Sequence, residues 1–410
     1  MRLIGSMLTV SVIGLALAST GCPPAPVNTT PTTPVNTGPV VDPLEKRLFA
    51  AIELIKGRQL EPAHGFWTVF HGILGLGPAL DLYDPVAKKK VKALDYIREG
   101  GEMPGLRFDN RGQGIDVFTA DDNIRFFGQG HQDQFVAEMA QWGVPRNLPF
   151  KVDGKNYTFG DFVAYTKYRA SVTRRQELAW AVLIIAEYEG TNIAWTNQFN
   201  ETLSLEDIVR YESDSPMDPE EAIKIGQLPL ACGGTHRLFG LSWALHVHQE
   251  NGGKLTGVWK KTNDRLQQYK KAAKLTRNED GSLSTNYLVK KGNTPDPDLR
   301  LSTTGHIFEW LALALTDAEL KEPWVEQTAS YLVQLVNELQ QRPVEGGSLY
   351  HAAHGLLIYY ARVFGTEKLG PYTPYVRLAP GCKPVVRPGS PAPVTTSPVA
   401  TTPVATPAKK

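Results

Sequence analysis

Five places along the chain repeat one local pattern, in which small residues lead to a histidine and the histidine opens a strongly apolar segment. They are Ala63-His64-Gly65, Gly128-Gln129-Gly130-His131, Cys232-Gly233-Gly234-Thr235-His236, Thr303-Thr304-Gly305-His306 and Ala353-His354-Gly355, with His351 just before the last. An imidazole in the first turn of a helix can act as a general base, a hydrogen-bond donor or a metal ligand, and the positive helix end favours its neutral form. The competing role at any single position is to satisfy loop backbone. Glu177 stands where the other repeats place histidine, and Glu309 lies one turn after His306. Opposed carboxylates suit glycoside cleavage, which needs an acid and a base or nucleophile, so Glu177, His236 and Glu309 are the candidate catalytic residues. Asp116, Asp121, Asp122, Asp133 and Asp280 are further carboxylates in or near long loops, although Asp280-Gly281 reads as a turn.

Arg174 and Arg237 add positive charge to two of these entrances, which favours an anionic or hydroxyl-rich ligand. The candidate binding set is therefore His64, His131, His236, His306, His354, Arg174 and Arg237. Cys232 with His236, His306 or His354 has donor types that suit zinc. The donors come from separate segments without a C-x-x-C or H-x-x-x-H pair, so neither a metal nor another cofactor is expected. Trp67, Trp142, Trp180, Trp243 and Trp310 recur on the same apolar segments, where they either pack the core or line a lumen and stack on a ligand.

The elements that must position these residues alternate between amphipathic and apolar helices. The expected pairs are Asp42–Ile55 with Pro62–Leu76, Lys88–Arg98 with His131–Trp142, and Phe159–Arg169 (capped by Thr158) with Arg174–Glu187. Next come two short helices from Ser204 and Asp218 with His236–His248, a helix through Trp259, Leu266, Tyr269 and Ala273 with His306–Leu315, and Trp324–Leu339 with Tyr350–Arg362. In the fifth outer helix Lys260, Lys261, Lys270 and Lys274 read as the solvated face. The predicted fold is all-α, an (α/α)6 toroid of six outer-inner helical hairpins, with an open α-solenoid as the alternative. The long connections Gly100–Gly130, Ser213–Gly234 and Arg277–Thr304 place the working face where the inner helices begin.

At the N-terminus Arg2, an apolar run from Leu3 to Ala18 and Gly21-Cys22 read as a signal peptide over 1–21 with lipidation at Cys22. Ala16-Leu17-Ala18 also fits ordinary signal cleavage, which would release a secreted protein. Residues 22–41 and 379–410, rich in Pro, Thr and Val, are expected to be unfolded tethers around a folded domain of residues 42–378. Cys232 and Cys382 are then the remaining thiols, and their spacing does not decide whether they pair. The balance of 43 basic against 42 acidic side chains gives no nucleic-acid footprint.

The hairpin pattern, with Asn278-Glu279-Asp280-Gly281-Ser282-Leu283 before an inner helix, resembles the repeats of terpenoid-cyclase and protein-prenyltransferase toroids. The resemblance implies a fold. The Asp-x-Asp-Asp acid of the cyclases has no match beyond Asp121-Asp122-Asn123, and the Asp-x-Cys zinc pair of the prenyltransferases is missing because Leu230 stands two residues before Cys232. The Ala-His-Gly segments are similar to those of lanthionine-cyclase toroids, whose adjacent Cys-His zinc ligands have no counterpart here. The expected function is that of a lipid-anchored extracytoplasmic protein binding a saccharide or other cell-envelope ligand at the inner-helix mouth. The alternative is a hydrolase, lyase or epimerase acting on a saccharide there.

Overall fold

The structure is a computed structural model and describes residues 42–119, 127–174, 176–224 and 231–387. The signal segment, Cys22 and its tether, Asp121, Asp122, Asn123, Leu230 and the tail beyond 387 lie outside the described residues. The chain is mostly helical. No helix among the described residues is long and apolar enough to cross a membrane.

Amphipathic α1 (Leu44–Lys56) buries Leu48, Ala51, Ile52 and Ile55, the face that its period of 3.6 dictates. A 3-10 turn at Pro62–His64 leads into α2 (Gly65–Leu76), buried over most of its length. A hairpin of β1 (Asp81–Asp84) and β2 (Lys89–Lys92) then precedes α3 (Ala93–Arg98), so the expected helix Lys88–Arg98 begins as a strand. The hairpin β3 (Phe108–Asn110) and β4 (Ile115–Val117) lies in the long connection to α4 (Gln134–Ala140).

This inner helix, hairpin, outer helix order recurs. Strands β5 (Pro149–Val152) and β6 (Lys155–Thr158) introduce α5 (Phe159–Arg169), and β7 (Ala194–Thr196) and β8 (Thr202–Ser204) introduce α7 (Leu205–Asp214) after α6 (Ala179–Glu189). Asp153 and Gly154, at φ 50° and 73°, make the two-residue turn between β5 and β6, the sequence chemistry such a hairpin favours. Both following helices start on a capping box, Thr158 with Asp161 and Ser204 with Asp207.

The remaining helices are α8 (Pro219–Lys224), α9 (Thr235–Glu250), α10 (Gly257–Thr276), α11 (Pro297–Ala314), α12 (Pro323–Glu338) and α13 (Gly346–Val363). Helix α11 starts nine residues before His306 because Asp296 caps it, accepting from the backbone of Asp298 and Leu299, with Pro297 at the first helical position. Lys270 departs from the solvated face expected of α10: it is buried and its Nζ meets Glu319 at 3.2 Å.

The apolar helices pack in series, α2 on α4, α4 on α6, α6 on α9, α9 on α11 and α11 on α13, and α13 packs back on α2. Small residues permit the close approaches. A Cβ on Gly355 of α13 would stand 2.9 Å from the Glu309 backbone of α11, and one on Gly305 would meet Ala352 at 3.0 Å. Gly305 and Gly355 of the histidine pattern thus serve helix packing. Trp142, Trp180, Trp243 and Trp310 are buried in the core, and Trp67 is half-buried.

Candidate functional site

Apart from His64, the histidines that the sequence singles out converge, and His71 joins them. His236 is the hub: its ring centroid lies 5.0 Å from His131 and 5.5 Å from both His306 and His351. His351 in turn lies 4.0 Å from His306 and 5.5 Å from His71. These rings come from α2, α9, α11, α13 and the segment before α4. His131, Glu177, Cys232 and Trp67 keep partial solvent access and form a rim. His71, Glu138, His236, His306, Glu309, His351 and His354 are buried beneath it. His306 sits ten residues into α11, which is why it lies deeper than a first-turn position would place it.

Most of these rings are oriented through Nδ1. His71 donates to the Trp67 carbonyl at 2.7 Å and His306 to the Ser302 carbonyl at 2.7 Å. Glu309 takes His351 on one oxygen at 2.6 Å and His354 on the other at 2.7 Å. His131 Nδ1 lies 3.2 Å from Glu177 Oε2. A carbonyl can only accept, so in the neutral ring Nε2 of His71 and of His306 keeps its lone pair. Among the described residues, neither ring nitrogen of His236 makes a hydrogen bond of standard geometry, nor does either carboxylate oxygen of Glu138.

Cys232 enters the cluster from a left-handed turn. Its backbone has φ 46° and ψ 41°, and Gly233 and Gly234 continue at φ 59° and 82°. Such a conformation at a non-glycine residue is uncommon and concentrates at functional sites. Gly233 is required twice, because a Cβ there would also stand 2.0 Å from the Tyr287 ring. Gly130 has a similar role, since the Trp67 ring would be 2.4 Å from a Cβ at that position. One ligand atom each from His131, Cys232 and His236 lies within 4.8 Å of the other two. The same holds for His236 with His306 and His351, and for His71 with Glu138 and His351.

The electrostatics are divided. Burial opposes charge throughout, but His306, His236 and His131 around Cys232 hold its thiol well below the ordinary range. Against burial, Glu177 and Cys232 push His131 up to about 10, and Cys232 with Glu309 pushes His306 up to about 9. Burial dominates elsewhere, lowering His71 to about 3 and His351 to about 4 and pushing Glu138 well up. The Glu309 carboxyl is held low, since His351 and His354 outweigh its desolvation.

Of the sequence candidates, His131, Glu177, His236, His306, Glu309 and His354 are brought together. His64 is exposed, and its Nδ1 accepts from the Glu61 backbone N–H at 2.9 Å in a capping box. Arg174 is exposed and lies over Phe199 at 4.4 Å. Arg237 is buried but committed to Glu212, its Nε donating at 2.6 Å. Asp133 accepts from Thr166 at 2.8 Å and pairs with Arg169 at 2.5 Å, while Asp280 holds the Ser282 backbone at 2.9 Å in the turn expected of it. His71 and Glu138 are the residues that the sequence reading missed. A lone histidine between Phe70 and Gly72, and a lone glutamate between Ala137 and Met139, are polar breaks in buried helices and were the available signal.

Comparison of the chain with protein-family models, with curated proteins and with solved structures gave no match in any of the three.

Proposed function

We propose that the chain is a lipid-anchored extracytoplasmic protein whose helical hairpins close into an α/α toroid, and that it binds a saccharide or other cell-envelope ligand at the rim of the histidine cluster. The observation that carries the reading is the convergence of polar groups from successive inner helices on one place, with His131, Glu177 and Cys232 at its wetted edge. The half-buried Trp67 beside Gly130 and the Tyr287 ring beside Gly233 offer flat faces for a sugar ring. Packing of α13 on α2 supports closure of the ring over an open solenoid. Anchoring rests on Gly21-Cys22, and Cys22→Ala is expected to abolish membrane partitioning.

The test is a thermal-shift screen of the full chain against glycan and metabolite libraries. A ligand at about 100 times its Kd stabilises the folded state by about 2.7 kcal/mol. Binding lost in both His131→Ala and Glu177→Gln, with melting of the free protein retained, supports the rim. A ligand bound equally well by both variants removes it.

Turnover by a hydrolase, lyase or epimerase is the second reading, favoured by the carboxylate–imidazole pair Glu177–His131 at a point of solvent access. It requires product formation by the wild type and a loss of about 100-fold or more in Glu177→Gln.

A further inference from the structure

We propose that Cys232, His131 and His236 form a three-ligand site for zinc or a similar divalent transition metal, with the remaining coordination position facing the rim. The proposal goes beyond the ligand reading and does not depend on a saccharide being bound.

The first support is distance. One donor atom of each residue lies within 4.8 Å of the others. Donors around tetrahedral zinc, bonded at about 2.0 to 2.3 Å, stand about 3.5 Å apart, so the trio closes on an ion with side-chain movements of about 1 Å. The second support is an unsatisfied group. His236 is 3% exposed and neither of its ring nitrogens makes a hydrogen bond of standard geometry among the described residues, its polar neighbour being the Cys232 thiol, an arrangement that a buried imidazole rarely keeps. A metal bond on one nitrogen would remove that cost.

The outer contacts fit as well. Glu177 holds His131 through Nδ1 and leaves Nε2 for coordination, the carboxylate–histidine arrangement that fixes metal-binding imidazoles. A thiolate with two imidazoles suits zinc, cobalt or copper and disfavours magnesium and calcium, which take oxygen donors. Cys232 and His131 retain solvent access, so an ion has a route in. The neighbouring trio of His236, His306 and His351 shares the same hub. It lacks the anionic sulfur and is buried throughout, so the cysteine-bearing trio is assigned the ion.

The experiment uses the full chain stripped with a chelator and titrated with Co(II) or Zn(II), with Mg(II) as control. The expected result is one Co(II) per chain with a thiolate-to-cobalt charge-transfer absorption. Cys232→Ser should remove that absorption and weaken binding by about 100-fold or more, Glu177→Gln should weaken it by about 10- to 100-fold, and Cys382→Ser should leave both unchanged. Independently of any variant, Zn(II) should protect Cys232 of the wild type from alkylation, read by peptide mass spectrometry. Uptake weaker than about 10 µM, uptake without the charge-transfer band, or unprotected Cys232 in zinc-saturated protein would overturn the site. Metal bound in the absence of any glycan binding would refute the saccharide reading and leave this one standing.

Discussion

Arg237 shows how a residue type that fits a ligand site can be used by the fold instead. Its guanidinium and the Glu212 carboxylate are both buried, Nε to Oε2 at 2.6 Å, and Glu212 also accepts the Leu178 backbone N–H at 3.0 Å. Removing one partner of such a pair leaves an uncompensated buried charge. Arg237→Ala is expected to cost about 3 to 5 kcal/mol in urea melts; a loss under about 1 kcal/mol would mean that water reaches Glu212. His246 makes a prediction of a different kind. Its Nδ1 donates to the Arg377 carbonyl at 2.7 Å, and burial lowers its pKa to about 4. The unfolded chain takes up this proton near pH 6.5 and the folded chain only near pH 4. The contribution of the neutral ring is therefore complete above about pH 6.5 and is lost as pH falls to about 4, an effect of up to about 3 kcal/mol. His71 and His351 titrate with the same sign, so the isolating measurement compares His246→Gln with wild type: the variant should lose less stability between pH 7 and pH 4. Parallel pH profiles would show that His246 does not carry the difference.

At the scale of elements, the approach of α13 to α11 depends on a glycine. In Gly355→Ala the new methyl would meet the Glu309 backbone at 2.9 Å, and backbone cannot rotate out of the way. The helices must part, at an expected cost of about 1 to 3 kcal/mol by thermal denaturation. An unchanged midpoint would mean that α11 and α13 are not held at this distance. The amphipathic helices were legible because their apolar period and caps agree, as with Leu48, Ile52 and Ile55 in α1 and Thr158 with Asp161 at α5. The hairpins were not, since strands of three or four residues are too short to show a period, although Asp153-Gly154 carried a turn signal. Asp296-Pro297 is a cap signal inside the expected loop Arg277–Thr304, and it starts α11 early enough to set His306 deep in the helix. The recurrence of small residues before histidine found much of the cluster. His71 and Glu138 escaped because each is a polar residue inside a largely apolar helix and follows no run of small residues; Gln134, which meets the His71 ring at 3.0 Å, lies in α4, 63 residues from His71.

For the whole molecule, the two ends of the inner helices are treated differently. At the N-terminal end is the wetted rim, where Glu177 precedes α6 and Cys232 precedes α9, with the buried histidines deeper along the helices. At the C-terminal end of α6, Glu187 gathers the last part of the described chain: Tyr375 donates to it at 2.6 Å, Arg377 at 2.9 and 3.0 Å, and Trp243 at 3.0 Å. Arg387 lies over Trp142 and Tyr375, so residues 379–387, expected in the tail, include a segment fastened to the helices. Both features gain their rigidity from neighbours distant in sequence, which makes the contact of α13 with α2 decisive for the proposed ring. In an open stack of hairpins the terminal units have one neighbour each and fray first. In a closed ring α2 and α13 are as fully flanked as α6 and α9. Native-state hydrogen exchange on the full chain is therefore expected to give α2 and α13 protection equal to that of α6 and α9, with exchange in all four following one global opening. Protection that declines steadily from α9 toward α2 and α13 would instead identify an open solenoid, whose cluster would be free to spread at the α2–α13 seam where His71 faces His351.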